Sequence, residues 1–517
     1  MRRRSLILGT LAMPAVLPAR TAGRAQTAPD AAFLPTSFDA TTVPSLARAL
    51  AAQPHRPRNH PLPPFLARLT YDGYRRLRYD PAQALWREAD LPFQLQPHHR
   101  GFLFHDRVEL FEVARGQAVR LRYQPNAFTY DGRKLQDGAL PDNASAGSMG
   151  DLGFAGFRLL HPLNRPDHFD EVCSFLGASY FRALGRGHVY GLSARGLSIG
   201  TADPAGEEFP AFTAFWLERP SPGDRHVVVH ALLESASLTG AWRFHIVPGD
   251  ATTMEVHATL FPRRDVRRIG VAPATSMFFF APHDRDRISD YRAAVHDSDG
   301  LLVRTGAGEQ LWRPLGNPQQ LQLSGFQDDS PQSFGLMQRS RTFADFNDLE
   351  AAYHRRPSLW VEPLDALGSG EVTLVEIPTR SEIHDNIVAA WSPRDGLRAN
   401  TPTTLRYRLH WLGQALGDAR LLRFAATRQG LVEEGKIRRF VLDTTPGEAA
   451  AAPLPAADVT ASAGAIDNVV VQPNPETGGL RLVFELRPGT ARMVELRARL
   501  ARGGKPASET WVYRWTS

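Results

Sequence analysis

From about Phe102 onward, apolar and polar residues alternate with a period of two. Val119, Leu121 and Tyr123, then Trp242, Phe244 and Ile246, then Met254, Val256, Ala258 and Leu260 are each separated by a polar residue. Short runs of this kind, broken by Gly, Pro and Asp, predict half-buried antiparallel strands. Long helical stripes are missing between them, which argues against a parallel α/β sheet. The fold class read from the pattern is all-β, with one large antiparallel sandwich holding most of the strands. Helix is expected only near the start, over 45–52 and 64–69, where good helix formers follow a Ser or Pro.

The alternation becomes most regular past residue 400, in Leu405, Tyr407, Leu409 and Trp411, in Leu480 to Leu486, in Val494 to Leu500, and in Trp511, Tyr513 and Trp515. Residues 401–517 therefore read as a second, immunoglobulin-like sandwich, and Ser392-Pro-Arg-Asp-Gly-Leu-Arg-Ala-Asn400 as the linker before it. Within that second unit the Ala/Pro-rich stretch from Glu448 to Ala465 reads as a mobile loop. The first sandwich is assigned to 26–391. No internal repeat is found.

Residues 1–25 stand apart. Met1-Arg-Arg-Arg-Ser-Leu-Ile-Leu-Gly-Thr-Leu-Ala is basic and then apolar, and small residues at Gly23 and Ala25 suit a signal peptidase. This is the pattern of a cleaved export signal, and the paired arginines favour the twin-arginine route. The leader also changes the charge balance. The whole chain is +6, but Arg2, Arg3, Arg4, Arg20 and Arg24 all lie in the leader, so the mature chain is close to +1. A nearly neutral surface offers little drive for nucleic-acid binding by counterion release. Cys173 is the only cysteine, so no intramolecular disulfide can form, and its apolar neighbours mark it as an inert core thiol.

Two motif matches carry no chemistry. Gly196-Leu-Ser198-Ile-Gly200 has the spacing of a nucleophile elbow, which needs a strand–turn–helix in an α/β sheet, whereas its flanks read as strands. Asp297-Ser-Asp299-Gly300 begins like a calcium loop, yet Leu302 and Gly308 fill the places that need Gly and Glu. No metal site and no cofactor are expected.

The candidate chemistry lies between Tyr291 and Trp391. Asp297 and Asp385 each follow a histidine near the end of an expected strand, and Asp299 stands beside the first. Trp312, Trp360 and Trp391 are candidates to stack on sugar rings; Arg313, Arg339, Arg341 and Arg356 could donate to hydroxyls. Two carboxyl groups across a glycosidic bond, one protonated and one ionised, are what inverting hydrolysis requires. For each Asp the alternative is a turn residue bonding its own backbone.

Long strings of residues resemble one family. Phe175-Leu-Gly-Ala-Ser-Tyr-Phe-Arg182, Tyr190-Gly-Leu-Ser-Ala-Arg-Gly-Leu197, Gly206-Glu-Glu-Phe-Pro210, His296-Asp-Ser-Asp-Gly-Leu301, Leu311-Trp-Arg-Pro-Leu315, Arg356-Pro-Ser-Leu-Trp-Val-Glu-Pro363 and Asp385-Asn-Ile-Val388 occur in order. Together they resemble the OpgG/OpgD (MdoG/MdoD) periplasmic glucan biosynthesis proteins, from about Phe33 to the C-terminus. The resemblance implies a large sandwich of galactose-mutarotase type with a cleft, an immunoglobulin-like domain after it, and a periplasmic location. The twin-arginine leader resembles the D-type branch more than the G-type. Some members of the family are inverting endo-β-1,2-glucanases, and relatives transfer the chain instead.

Carried over by motif, Asp385 is the general acid. Asp297 is the base, reached through a relay of water and substrate hydroxyls, with Asp299 its rival. Tyr353 and Arg356 resemble cleft residues, and Trp312, Trp360 and Arg339 are added from their chemistry. The ligand implied is a β-glucan oligo- or polysaccharide. A non-catalytic alternative is a glucan-binding assembly factor that docks on a membrane glucan synthase. The chain departs from the family in two places: Gly430 to Gly447 carries no tryptophan where a cleft-covering loop begins, and Ile383 is apolar where a relay would use a hydroxyl.

Overall fold

The computed structural model describes residues 37–517, apart from 59, 136–149, 287, 415–416 and 433–435. The leader expected over 1–25 lies outside the described residues. Helix is confined to short segments such as Thr42–Ala51 and Pro64–Ala67, where it was expected, and almost everything after residue 93 is strand and turn. No helix among the described residues is long and apolar enough to cross a membrane.

Two sheets form the large sandwich. One has ten strands: nine run in space from Gln94–His98 through Gly156–Arg165, His168–Leu176, Tyr180–Ala183, Ser193–Arg195, Ile269–Ser276 and Ile387–Pro393 to Ser369–Glu376 and Gln322–Asp329, and Leu197–Ile199 pairs with Ile269–Ser276 beside them. The other, which includes Thr252–Pro262, Leu238–Val247, Val227–Glu234 and Ala211–Glu218, is part of a fifteen-stranded sheet that continues into the C-terminal unit. The inward residues of both sheets share one core. Phe157 meets Phe215 at 5.0 Å, Phe175 meets Phe244 at 5.2 Å and Phe181 meets Trp411 at 5.9 Å, ring centre to ring centre. Each such aromatic pair adds roughly 0.5–1.5 kcal/mol beyond its burial. Cys173 lies in this core, and burial pushes its thiol pKa up.

The strand Thr403–Leu412, expected to open the second sandwich, belongs to the fifteen-stranded sheet. It pairs antiparallel with Thr252–Pro262 on one side and Ser358–Pro363 on the other. Alternation announces a strand but not its neighbours, so a boundary drawn at residue 400 falls one strand early. The proposed linker 392–400 is correspondingly the end of strand Ile387–Pro393 and the turn after it. The Ala/Pro-rich stretch taken for a loop contains the strand Ala456–Ala461, paired along its length with Met493–Arg502.

The C-terminal unit stacks the four strands Phe424–Val432, Ile437–Thr444, Gly479–Arg487 and Ala465–Asn474 against Ala456–Ala461, Met493–Arg502 and Thr510–Thr516. Its core is aromatic: Phe440 stacks on Phe484 at 5.1 Å and Trp511 on Tyr513 at 5.3 Å. That core continues onto the outer face of the large sheet, where it takes in Leu302, Trp312, Met337, Trp360 and Leu412. Leu301, Val303, Leu336, Leu359, Val361 and Trp411, adjacent to these in the chain, face the first core instead. The sheet is therefore buried on both faces here. Gly300 is needed beneath Trp312, because a Cβ there would collide with the indole.

Candidate active site

Three chain segments bring the acids together. The backbone N–H of Asp297 donates to the Met277 carbonyl at 2.8 Å, and that of Asn386 donates to the Ser276 carbonyl at 3.0 Å. The Asp297 and Asp385–Asn386 segments are thus tied to consecutive residues of one strand and its extension. The Asn386 side chain completes the tie. Its Oδ1 accepts from the Phe278 N–H at 2.8 Å and its Nδ2 donates to the Ile377 carbonyl at 3.0 Å. Asp297 and Asp385, eighty-eight positions apart, come close enough for the charge of one to perturb the other.

Their surroundings differ. Asp297 is buried and forms an ion pair with the buried Arg356 guanidinium. Arg356 also donates to the Ala351 carbonyl through Nε and Nη2, and lies 4.3 Å over the Tyr353 ring. Burial works against its charge, but Asp297 above all, with Asp385 adding to it, holds the Arg356 pKa above its ordinary value. A side chain at Gly191 would press on the Arg356 stem, only 2.9 Å away. Among the described residues Asp385 has no ion-pair partner of its own. Burial raises its pKa from 3.8 to about 6; Arg182 and Arg356 pull it down and Asp297 pushes it up. One carboxyl is compensated by a cation, while burial shifts the other toward its protonated form.

Tyr353 lies beside this pair. Its hydroxyl donates to Glu382 Oε2 at 3.2 Å, and Glu382 in turn meets Arg292 at 2.7 Å. Arg292 also binds Asp290 and Asp348, each at 2.8 Å, so it anchors the loops on this side.

The remaining sequence candidates lie elsewhere. Asp299 is occupied: its Oδ2 accepts the backbone N–H of Arg339 and of Ser340 at 2.8 Å, and its Oδ1 lies 3.3 Å from His296 Nδ1. Its Oδ2 braces the backbone of residues 339–340, while Oδ1 accepts no hydrogen bond among the described residues. Trp312 and Trp360 are 3% and 5% exposed in the joint between the two units, and Trp391 is fully buried in the first core. None of the three indoles is offered to a ligand: Trp312 and Trp360 face the joint between the units, and Trp391 points into the first core. Arg339 is likewise in the joint, in a buried pair with Glu509. Arg313 pairs with buried Glu376, and Arg341 donates to the Arg356 carbonyl and to Ser358 Oγ.

A further polar feature was missed. Register pairs Gln96 with Arg158, Arg158 with Ser174, Ser174 with Arg182, and Ser193 with Thr275 across the ten-stranded sheet. Arg182 Nε donates to Ser193 Oγ at 2.9 Å, which closes the row. Residues in register share a face, so this is one polar strip crossing six strands on the side opposite the phenylalanine core. Glu171 and Tyr190 flank it, with Tyr190 Oη donating to Glu171 at 2.8 Å and Arg158 at 3.1 Å from the same carboxylate. The strip ends next to Asp385, on which Arg182 acts. The sequence does carry a signal for it: Leu95-Gln-Pro, Phe157-Arg-Leu, Cys173-Ser-Phe, Phe181-Arg-Ala and Leu192-Ser-Ala each place one polar residue between two apolar ones or a proline.

The family model described as "Periplasmic glucan biosynthesis protein, MdoG" matches residues 38–515. The chain belongs to that family. Among curated MdoG-type relatives, "Glucans biosynthesis protein G" of Vibrio cholerae serotype O1 is 50% identical over 483 residues, covering 93% of this chain and 87% of that protein. The protein of the same name from Rhodopseudomonas palustris is 49% identical over 518 residues, covering all of both. That from Shewanella frigidimarina is 48% identical over 483 residues, covering 93% of this chain and 85% of the relative. These relatives carry the G name, so the D-type leaning taken from the leader receives no support. The MdoG family is a family of periplasmic glucan biosynthesis proteins, and a role in that process follows from membership.

Proposed function

We propose that this protein acts in the periplasm on the β-1,2-linked backbone of a glucan, as an inverting hydrolase or transglycosylase, with Asp385 as general acid and Asp297 as base. The observation that carries this reading is the pairing itself: a buried Asp385 that forms no ion pair among the described residues, set against an Asp297 held by Arg356. The half-buried Arg158, Ser174 and Arg182 of the polar strip present guanidinium and hydroxyl groups to which a neutral polyol can hydrogen-bond.

In the proposed step the Asp385 proton passes to the glycosidic oxygen as the bond from that oxygen to the anomeric carbon breaks. Water, or a sugar hydroxyl, bonds to the anomeric carbon from the opposite face, and its proton reaches Asp297 through intervening hydroxyls. Water as acceptor gives hydrolysis, and a sugar hydroxyl gives transfer. No metal or cofactor enters the step.

The test is incubation of the purified protein with linear β-1,2-glucan while chain length is followed. Shortening or rearranged chains, lost in the Asp385→Asn variant, are the expected result. Tight glucan binding with no product in wild type would instead leave the assembly-factor reading. A second check uses charge. Asp385 must be protonated to act, so the rate falls as pH rises through its pKa. Arg182 lowers that pKa. Arg182→Met is therefore expected to move the alkaline limb of kcat/KM to higher pH; an unmoved limb removes Arg182 from the account.

A further inference from the structure

We propose that Glu509, on the C-terminal unit, is a positioning residue for the acid pair, acting through Arg339 and the backbone of residues 338–341. The inference rests on the catalytic reading above and extends it: the second unit is part of the apparatus that sets the site's geometry.

The first link is a buried clamp. Arg339 Nη1 and Nη2 donate to Glu509 Oε1 and Oε2 at 2.6 and 2.9 Å, and Nη1 also donates to the Phe424 carbonyl at 3.0 Å. The guanidinium lies 3.4 Å over the Trp312 ring. Glu509 is 1% exposed and accepts two more hydrogen bonds, from the Phe424 N–H at 2.8 Å and Gln310 Nε2 at 2.9 Å. Four donors on one carboxylate, with an arginine paired in two-point fashion, make a geometrically specific contact that a lysine would not reproduce.

The second link is the chain around Arg339, where neighbouring residues reach inward. Gln338 Nε2 donates to the His296 carbonyl at 2.9 Å and to the Tyr353 carbonyl at 3.4 Å, while its own N–H donates to Ser358 Oγ at 2.9 Å. The N–H groups of Arg339 and Ser340 hold the Asp299 carboxylate, two residues from Asp297. Arg341 donates to the carbonyl of Arg356, the residue that neutralises Asp297. This four-residue segment therefore holds Arg356 by its carbonyl, and Asp297 through its neighbours, the His296 carbonyl and the Asp299 carboxylate. Its only side chain clamped to the C-terminal unit is Arg339, among the described contacts. A displacement of an ångström at a reacting group is enough to lower a rate by about 10²-fold, so a loosened clamp is felt at the base without touching substrate.

Glu509→Gln and the milder Arg339→Lys test this in the full-length protein, on two readouts. With β-1,2-glucan, kcat is expected to fall by about 10-fold or more while KM stays within about twofold, because no contact with substrate is removed. Amide hydrogen exchange is expected to quicken at Asp297, Asp299, Arg339 and Ser340, and to stay slow in the strand Leu238–Val247. Asp443→Asn serves as control. Asp443 is another buried acid of the same unit, and its partners Arg428, Asn474 and Arg481 all lie within that unit. That variant is expected to keep the wild-type kcat. Unchanged exchange at the four amides, an unchanged kcat, or an equal loss in the control overturns the inference while leaving the glucanase reading intact. Should wild type itself give no product, the glucanase reading falls and hydrogen exchange alone decides the coupling. Should Glu509→Gln fail to fold, Arg339→Lys carries both readouts.

Discussion

Replacing Asp385 by Asn is expected to lower kcat on β-1,2-glucan by about 10³-fold, the scale of a lost general acid, and yet to make the protein more stable above pH 6. The sign follows from linkage. The Asp385 pKa rises from 3.8 to about 6 on folding, so between those values the native state holds a proton that the unfolded state has released. Stability is then full below 3.8 and falls as pH rises through about 6. Asn is neutral throughout and suffers no such loss. The variant should match wild type near pH 3.5 and exceed it near pH 8, by at most about 3 kcal/mol. Melting curves at the two pH values, with activity at neutral pH, check both halves. A variant that is inactive and also less stable at pH 8 would show that burial does not raise Asp385, and would take away its claim to be the acid.

Arg356→Met carries the second large effect, in the opposite direction. Its guanidinium is the cation that compensates the buried Asp297 carboxylate, and it holds the Ala351 carbonyl as well. Removing one member of a buried pair leaves a charge without solvent or partner, at a cost of about 3–5 kcal/mol. Urea unfolding should show this as a lower midpoint with an unchanged slope, and activity should be lost. The double variant Asp297→Asn with Arg356→Met should regain much of the stability, because no uncompensated charge remains, and none of the activity. Equal stabilities for the single and double variants would mean that the pair is not coupled as its geometry requires.

How far these features were legible beforehand depended on which physical signal each one left. Strands announced themselves, since Met254, Val256, Ala258 and Leu260 can alternate with polar residues only on a half-buried sheet, and all four are buried on the strand Thr252–Pro262. Asp297 and Asp385 were legible as residues through their motifs. Their approach was not, because it depends on ties from Ser276 and Met277 far away in sequence. Trp312 and Trp360 misled for a related reason. An indole among Arg and Pro looks like a ligand platform, and nothing local reveals that a second unit covers the outer face of that strand. The polar strip escaped notice because each of its residues is ordinary alone; only register makes Gln96, Arg158, Ser174, Arg182 and Ser193 neighbours.

The strand Gln310–Pro314 has one neighbour close by in sequence, Gly300–Arg304, and another, Thr510–Thr516, made some two hundred residues later. On a ribosome the wide sheet is therefore left with an open edge until Thr510–Thr516 has been made, and Leu302, Trp312, Met337 and Trp360 wait without cover beside it. Such an edge is a template for pairing with another nascent chain. The molecule cannot be completed from its front end backwards. The strand Thr510–Thr516 closes it, and whatever guards the newborn polypeptide must hold on until that strand emerges.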